Sequence, residues 1–203
     1  MFFRKAAEQN NASAQFNLGN SYFRGEGVLK DEVEAVKWFR KAAEQNYAPA
    51  QSSLGHCYIH GQGVVKNFSE ALKWLRKAVE KNDSFAQSNL GYCYETGQGV
   101  AKDEVEAVKY YRKAANQNRA SAQFNLGLSY VKGQGIEKND IEAYKWWLLA
   151  KAQGDEDAAK YLLVLEREMS SDQIAKSQEL ARNFKPQLTL EPGEGDLIKP
   201  DKY

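Results

Sequence analysis

The sequence contains little cysteine, little proline and no long apolar run. Two cysteines in 203 residues, Cys57 and Cys93, cannot form a disulfide framework or a four-thiolate zinc site. Proline occurs four times, and three of the four lie in the last 18 residues. No apolar run exceeds five residues, whereas a membrane-spanning helix needs about 20. These absences exclude a disulfide scaffold and predict no membrane span.

The chain also lacks an excess of charge of either sign. It has 28 basic and 27 acidic side chains, giving a net charge of +1, which argues against nonspecific binding to nucleic acid. Residues 2–5, Phe-Phe-Arg-Lys, are followed by polar residues, so the apolar core of a secretory signal is missing. The sequence as given favours the cytoplasm, but a signal further upstream would not be seen, and localisation therefore stays open.

A segment of the sequence recurs every 36 residues. The segments AQFNLGNSYFRGEGV, AQSSLGHCYIHGQGV, AQSNLGYCYETGQGV and AQFNLGLSYVKGQGI begin at Ala14, Ala50, Ala86 and Ala122 and align without a gap. Such a period is typical of repeat proteins, in which each unit buries its apolar face against its neighbours.

Each repeat is predicted to form two helices. In the first, Ala14, Leu18 and Tyr22 recur at i, i+4 and i+8 and define one apolar face. The first helices should end at glycines able to adopt a left-handed cap: Gly25, Gly61, Gly97 and Gly133. The second helices should begin at Asp31, Asn67, Asp103 and Asn139, each with Glu three residues later as a capping-box variant. They should end at Asn10, Asn46, Asn82, Asn118 and Gly154.

A second set of glycines lies inside the predicted first helices. Gly19, Gly55, Gly91 and Gly127 each cost about 1 kcal/mol relative to alanine in a helix interior. Close approach of the second helix, with residues of the Trp38 or Phe39 type filling the remaining space, would offset that cost. We therefore expect stacked helical hairpins.

The repeated residues resemble the Sel-one-like repeat (SLR) family of tetratricopeptide (TPR)-like proteins. The pattern A-x-x-x-L-G-x-x-Y-x-x-G-x-G-V, followed by D/N-x-x-E-A-x-x-W-x-x-K-A-A, is matched almost fully four times. The resemblance implies an all-α, right-handed superhelical α-solenoid that acts as an adaptor and holds a protein or peptide in its concave groove. It implies no shared catalytic residue and no cofactor.

A cysteine-rich branch of that family staples each repeat with a disulfide and is associated with binding or hydrolysing β-lactams. This chain departs from that branch, because Cys57 and Cys93 occupy one position in successive repeats, where Ser21 and Ser129 stand in others. Equivalent positions in stacked hairpins should be about 8–10 Å apart, beyond the reach of a disulfide. We expect two free thiols.

The ends of the repeat array differ from its middle. Residues 1–10 resemble the end of a preceding repeat, and four repeats follow at 11–46, 47–82, 83–118 and 119–154. Residues 155–185 are predicted to form a degenerate fifth repeat and a capping helix that begins at Ser170 or Ser171 and carries Ile174, Ala181 and Phe184. Residues 186–203 read as an extended tail. The N-terminal end is either excised from a longer array or meets another molecule, so self-association through this end or through the tail stays open.

The sequence offers only weak signals for a nucleotide, metal or catalytic site. The G-x-G pairs lack the third glycine and the preceding strand of a nucleotide loop. His56 and His60 have a spacing able to hold a metal, and Glu95 could face them as an acid, but their equivalents vary between repeats and no nucleophile is evident. Basic pairs such as Arg40-Lys41 are best read as a solvated ridge, with Arg40 paired to Glu44. The sequence predicts no metal site, no catalysis and no nucleic-acid binding.

What remains is the variable surface of the first helices, which mixes aromatic, aliphatic and polar groups as binding grooves do. The residues expected to face a ligand are Phe16, Asn20, Phe23, Arg24, Ser52, His56, Ile59, His60, Ser88, Tyr92, Glu95, Phe124, Leu128, Val131 and Lys132. Asn17, Asn89 and Asn125 recur beside them and could bind a ligand backbone or serve packing. We interpret the chain as a non-enzymatic scaffold; a hydrolytic or β-lactam-binding protein and a purely structural spacer are the alternatives.

Overall fold

The computed structural model describes the backbone of residues 2–187 and the side chains of residues 4–187, and these residues form eleven helices and no strand. The predicted tail, 186–203, falls outside the described residues from 188 onward. None of the helices is long and apolar enough to cross a membrane, within the part of the chain described. The helices are α1 (Phe2–Glu8), α2 (Ala12–Arg24), α3 (Glu32–Glu44), α4 (Ala48–His60), α5 (Phe68–Glu80), α6 (Ser84–Thr96), α7 (Glu104–Asn116), α8 (Ala120–Lys132), α9 (Asp140–Ala152), α10 (Glu156–Leu165) and α11 (Ser171–Arg182).

The packing divides the chain into two compact units, and the division falls within α6. Unit 1 comprises Met1–Leu90 with Gln98–Val100, and unit 2 comprises Gly91–Gly97 with the chain from Ala101 onward. Consecutive helices pack as hairpins within each unit, for example α2 on α3 in unit 1 and α8 on α9 in unit 2. The predicted all-α architecture of 36-residue helical hairpins is confirmed.

The predicted helix starts are confirmed by their N-caps. Asp31, Asn67, Asp103 and Asn139 each accept a hydrogen bond from the backbone N–H three residues later. The glutamates at that third position contact a lysine of the next turn rather than completing a capping box; Glu34, for example, lies 2.8 Å from the Nζ of Lys37.

The predicted helix ends are confirmed as well, because the residues named as stops have positive φ. The first helices stop directly before Gly25, Gly61, Gly97 and Gly133, and the second helices stop two residues before Asn10, Asn46, Asn82, Asn118 and Gly154. Asparagine at four of these positions tolerates the left-handed conformation because its short polar side chain can hydrogen-bond locally.

The glycines inside the first helices lie where the second helix approaches most closely, as predicted. A Cβ at Gly19 would stand 2.6 Å from the Phe39 ring, and one at Gly91 would stand 2.6 Å from the Tyr111 ring. Large side chains of the second helix therefore fill the space above each glycine, and their burial offsets the helix propensity that glycine loses.

The second glycine of two G-x-G pairs has a different role. Gly63 has a φ of 68°, and a Cβ there would overlap the Glu32 carbonyl at the start of α3. Gly135 makes the same close approach to the carbonyl of Glu104 at the start of α7. At Gly63 and Gly135 the backbone of one hairpin therefore contacts the backbone of the preceding hairpin.

A buried glutamine in each first helix links neighbouring helices by hydrogen bonds. In unit 1 the Nε2 of Gln15 donates to the Ala7 carbonyl at 3.1 Å and to Oδ1 of Asn10 at 3.2 Å. The Nε2 of Gln45, at the end of α3, in turn donates to Oε1 of Gln15 at 2.7 Å. In unit 2, Gln153 donates to Oε1 of Gln123 at the same distance. Periodicity alone did not reveal these polar links.

The basic ridge is held differently from the expectation. Instead of pairing with Glu44, Arg40 donates to the hydroxyl of Tyr58 in the next hairpin, with an N–O distance of 2.6 Å. Arg4 makes the same bond to Tyr22. Sequence spacing shows that Glu44 lies within reach of Arg40 on the same helix, but it does not show that Tyr58 of the next hairpin lies within reach as well.

The C-terminal capping helix forms as predicted, except that α11 ends at Arg182 and Phe184, expected on its apolar face, lies beyond it. Ser170 and Gln173 make a capping box at the start of α11, and α11 packs against α9. Beyond α11, the Phe184 ring meets the Trp146 ring edge-on at 5.5 Å, and the Gln187 N–H donates to the Asn116 carbonyl at 2.8 Å. The end of unit 2 is therefore covered by α11 and by the extended residues that follow it.

The two cysteines are free and buried, as predicted. Burial raises the pKa of the Cys57 thiol to about 12 and that of Cys93 to about 11, because the thiolate is poorly solvated inside the core. Both side chains therefore act as small core residues rather than as nucleophiles.

Candidate functional site

The first helices place only part of the predicted ligand-facing set at the surface. Phe16, Ser52, Ile59 and Ser88 have 4%, 1%, 1% and 7% of their surface exposed. Phe16 packs against Tyr47 with the ring centroids 5.5 Å apart, and the Ser52 hydroxyl donates to the Pro49 carbonyl. These four residues belong to the core and offer little surface to a ligand.

Unit 1 instead presents a histidine cluster on α4 and α6. The rings of His56 and His60 lie 4.3 Å apart, and Phe85 packs against His56 at 5.2 Å. The Nδ1 of His56 lies 3.2 Å from Oδ1 of Asn89, which is 7% exposed. The two histidines predicted to line the binding surface are thus brought together with a recurrent asparagine and with an aromatic ring that the sequence analysis missed.

Hydrogen bonding fixes the orientation of this cluster. The Asn89 Nδ2 donates to the Phe85 carbonyl at 2.9 Å, so the Asn89 oxygen faces His56 and the His56 Nδ1 must carry the proton that it donates. Burial lowers the pKa of His60, and the charge of Lys66 lowers it further, so that this ring is neutral at pH 7. The cluster therefore presents the neutral His60 ring beside a His56 ring whose orientation Asn89 fixes.

The histidines do not form a metal centre with acidic or thiol groups. Among residues 4–187 no group of three or more His, Cys, Asp or Glu side chains is arranged to hold a metal ion. Glu95, which the sequence suggested as an acid for the pair, accepts a hydrogen bond from the hydroxyl of Tyr111 at 2.7 Å. Tyr111 is fully buried, and its pKa is raised by burial and by the Glu95 charge. Glu95 is therefore engaged in holding the α6–α7 hairpin.

Unit 2 presents an aromatic and aliphatic surface on α8 and α10. Phe124, Leu128 and Val131 pack half-buried on the core of this unit. Tyr161 of α10 is 45% exposed and meets Phe124 edge-on, with ring centroids 5.4 Å apart. The Trp147 indole N–H donates to the Phe124 carbonyl at 3.0 Å and fixes the helix beneath it.

The remaining predicted residues lie on the first helices with intermediate or full exposure, and several use polar atoms internally. They are Asn17, Asn20, Phe23, Arg24, Tyr92, Asn125 and Lys132. Phe23 packs on Phe39 at 6.2 Å, and the backbone carbonyls of Tyr92 and Asn125 accept hydrogen bonds from Thr96 and Ser129.

Three aromatic residues beside this surface were missed from the sequence. Tyr47 and Phe85 lie in the first turns of the hairpins, and Tyr161 lies in the degenerate repeat, so all three fall outside the recurrent motif. The signal that would have found them is aromatic substitution at positions where the other repeats carry small or polar residues, such as Ser13 and Ser121 for Phe85.

Two cavities lie away from the first helices. One, of about 450 Å³, lies on the outer surface of α3 beside Gly63 and Val64. The other, of about 310 Å³, lies between α9 and α11 and is lined by Leu148, Leu149 and Ala181, among others. The histidine cluster and the Phe124–Tyr161 surface do not line either of these cavities, and they include the exposed side chains of His60 and Tyr161.

The hairpin repeats and the glycines at which their helices meet define a TPR-like helical repeat protein. The Sel1 repeat family model matches residues 1–11, 12–47, 48–83, 84–118 and 120–155, and the chain belongs to that family. Proteins of this family are generally modules for protein–protein interaction.

Solved structures of related proteins agree with this assignment. A Sel1 repeat protein from Oxalobacter formigenes is 37% identical, with a TM-score of 0.72, and the match covers 89% of this chain and 76% of that one. Cysteine-rich protein B of Helicobacter pylori is 32% identical, with a TM-score of 0.52, over 66% of this chain and 96% of that one. Immunity protein Pa5087 of Pseudomonas aeruginosa is 26% identical, with a TM-score of 0.58, over 90% and 69%. A comparison with curated proteins gave no significant match.

Proposed function

We propose that this protein is a non-enzymatic scaffold that binds a peptide or protein segment on the exposed surface of its first helices. The observation that carries the proposal is the pair of prearranged aromatic surfaces: the cluster of His56, His60 and Phe85 in unit 1, and that of Phe124 and Tyr161 in unit 2. Exposed aromatic groups held by packing give contact area at little entropic cost, which is why they dominate binding hot spots.

The polar groups beside these rings support recognition rather than chemistry. The His56 ring is oriented by Asn89, and Glu95 is occupied by Tyr111, so that neither is arranged as an acid–base pair with a nucleophile. The free, buried cysteines set the chain apart from the disulfide-stapled branch of the family. These observations favour a binding scaffold over a hydrolytic or β-lactam-binding protein.

The proposal is tested in two steps. A photo-crosslinking amino acid at Tyr161, or in a second variant at His60, should capture a partner segment from an extract of the source cell, whereas the same group at the outer position Lys113 should not. The captured segment is then synthesised and titrated against the purified chain.

In that titration, Phe124→Ala or Tyr92→Ala should weaken binding by at least about 1–2 kcal/mol, as expected of a hot-spot aromatic residue. Lys113→Ala is the matched control and should leave the affinity unchanged. Crosslinking only from Lys113, or full affinity in both aromatic variants, would show that the first helices are not the binding surface.

A further inference from the structure

The outer surface of unit 1 contains a groove that is separate from the first-helix surface proposed above to bind a partner. This cavity of about 450 Å³ runs along α3, with Val33, Val36 and Val64 as its apolar side chains. Val33 is 56% exposed, and Val65, the next residue along the chain from Val64, is 89% exposed. Exposed aliphatic side chains around a concave surface mark an interaction site more often than isolated apolar residues do.

In unit 2 the equivalent groove is filled by the chain itself. Two repeats after Val36, Val64 and Glu44 stand Val108, Ile136 and Asn116. The Phe184 ring packs against the core cluster that contains Val108 and Trp146, and Ile136 packs on the same cluster. Three residues further on, the Gln187 N–H donates to the carbonyl of Asn116.

The segment Phe184–Gln187 therefore shows how such a groove holds an extended peptide. The aromatic ring meets the outer tryptophan, and a backbone N–H meets a carbonyl in the last turn of the helix, where carbonyls lack an intrahelical partner. Repeat equivalence gives unit 1 the same two features, because Trp74 stands two repeats before Trp146 and Glu44, which lines the cavity, is the last residue of α3.

The charges around the two grooves differ. Arg40 and Lys41 border the cavity of unit 1, and Lys77 lies 4.7 Å above the Trp74 ring, where Leu149 stands in unit 2. Lys37 is paired with Glu34, so that two cations, Arg40 and Lys41, face one acid, Glu44, among the remaining charged residues that line the cavity. Such a rim attracts a negatively charged segment.

We propose that the α3 groove of unit 1 binds an extended segment of a partner protein that carries an aromatic residue followed by an acidic one. The aromatic ring takes the place against Trp74 that Phe184 takes against Trp146, and a backbone N–H three residues later donates to the Glu44 carbonyl. The acidic residue follows the aromatic one directly, as Lys185 follows Phe184 in the internal segment, and it pairs with Arg40 or Lys41.

The test uses the full chain labelled with ¹⁵N and the peptide acetyl-Asn-Phe-Glu-Pro-Gln-amide as the probe. Saturable shifts are expected for backbone amides of Val33–Glu44 and of Gly63 and Val64. A peptide with Lys in place of Glu, and one with Ala in place of Phe, should each bind at least about tenfold more weakly, because the first loses the charge pairing and the second loses the anchor.

Lys41→Glu should abolish binding of the Glu peptide, and Lys113→Glu, at the equivalent position of unit 2, is the matched control that should leave it unchanged. Both lysines are exposed, so that both variants should fold. The proposal is overturned if no peptide gives saturable shifts, if the shifts fall on α4 and α6, or if Lys41→Glu has no effect.

A second copy of the chain is the other occupant to distinguish. If a second copy occupies the groove, sedimentation velocity of the unlabelled chain shows concentration-dependent dimers that Lys41→Glu dissociates. Such a result would mean that the groove serves self-association, and it would overturn the assignment to a partner protein. A concentration-independent monomer that binds the Glu peptide supports the proposal.

Discussion

At the scale of single residues, one polar link of the repeat is incomplete. Gln45 and Gln153 each satisfy the Oε1 of a buried glutamine in a neighbouring helix, but Lys81 stands at the equivalent position in the second repeat. Lys81 donates to the Asn46 carbonyl at 2.5 Å, and the Oε1 of Gln51, which is 1% exposed, has no hydrogen-bond partner. A buried acceptor without a donor costs about 1–3 kcal/mol.

Lys81→Gln should therefore raise the free energy of unfolding, by about 0.5–1.5 kcal/mol, because the new Nε2 can donate to Gln51 as Gln45 does to Gln15. Urea denaturation of both proteins at pH 7 measures the change. Gln45→Lys is the reciprocal control and should destabilise the chain, since it leaves the Gln15 oxygen unpaired. Equal stability of wild type and Lys81→Gln would mean that Gln51 is satisfied in another way.

The buried thiols give a pH dependence with a defined sign. The folded-state pKa of Cys57 is about 12, whereas its ordinary value is 9.0. Its contribution to stability is therefore complete below pH 9 and is lost as the pH rises from 9 toward 12, because the unfolded chain releases the proton first. At pH 10 this loss is about 1.4 kcal/mol for one thiol.

Cys57→Ser, which introduces the residue found at positions 21 and 129, should lose less stability than wild type between pH 8 and pH 10. Urea denaturation at the two pH values gives the difference. In the native protein both thiols should also resist alkylation at pH 8 and react after unfolding. Rapid labelling of native Cys57 would contradict its burial.

At the scale of helices, the sequence was sufficient to place nearly every boundary. Caps such as Asp31 and stops such as Asn46 act through the local backbone, so that their effect can be read from a few neighbouring residues. The same holds for the capping box of Ser170 and Gln173. Partners on other helices were harder to predict, because Arg40 reaches Tyr58 only once the two hairpins are packed.

The capping helix α11 should contribute far more stability than the tail. Truncation after Met169 removes the helix that packs on α9 and exposes Leu148 and Leu149, so that it should lower the unfolding midpoint strongly or cause aggregation. Truncation after Lys185 removes the bond from Gln187 to Asn116, which contributes about 0.5–1.5 kcal/mol. Thermal denaturation followed by circular dichroism compares the two, and equal effects would contradict the assignment of α11 as the cap.

At the scale of the whole molecule, the family and the hairpin architecture were predictable, but the exposed surface was only partly so. Recurrent positions report packing within a repeat, and they identified the framework correctly. Whether a variable position such as Ile59 or Phe16 faces outward depends on the rotation of its helix against its neighbours, which the 36-residue period does not fix. Tyr161 was missed because it lies in a repeat that no longer follows the pattern.

Two hairpin junctions are made by backbone atoms: Gly63 contacts the Glu32 carbonyl, and Gly135 contacts the Glu104 carbonyl. The number of repeats and the side chains on their exposed surfaces can therefore change independently in evolution. These joints consist of backbone against backbone, so that they hold whatever side chains the first helices carry on their exposed positions. A gene encoding such a chain can therefore duplicate or lose a 36-residue module in frame and keep this backbone contact wherever the second glycine of the pair approaches the preceding hairpin, as it does at Gly63 and Gly135. The exposed positions are then free to diverge, and new partners can be acquired by copying a module and altering its surface without redesigning the junction.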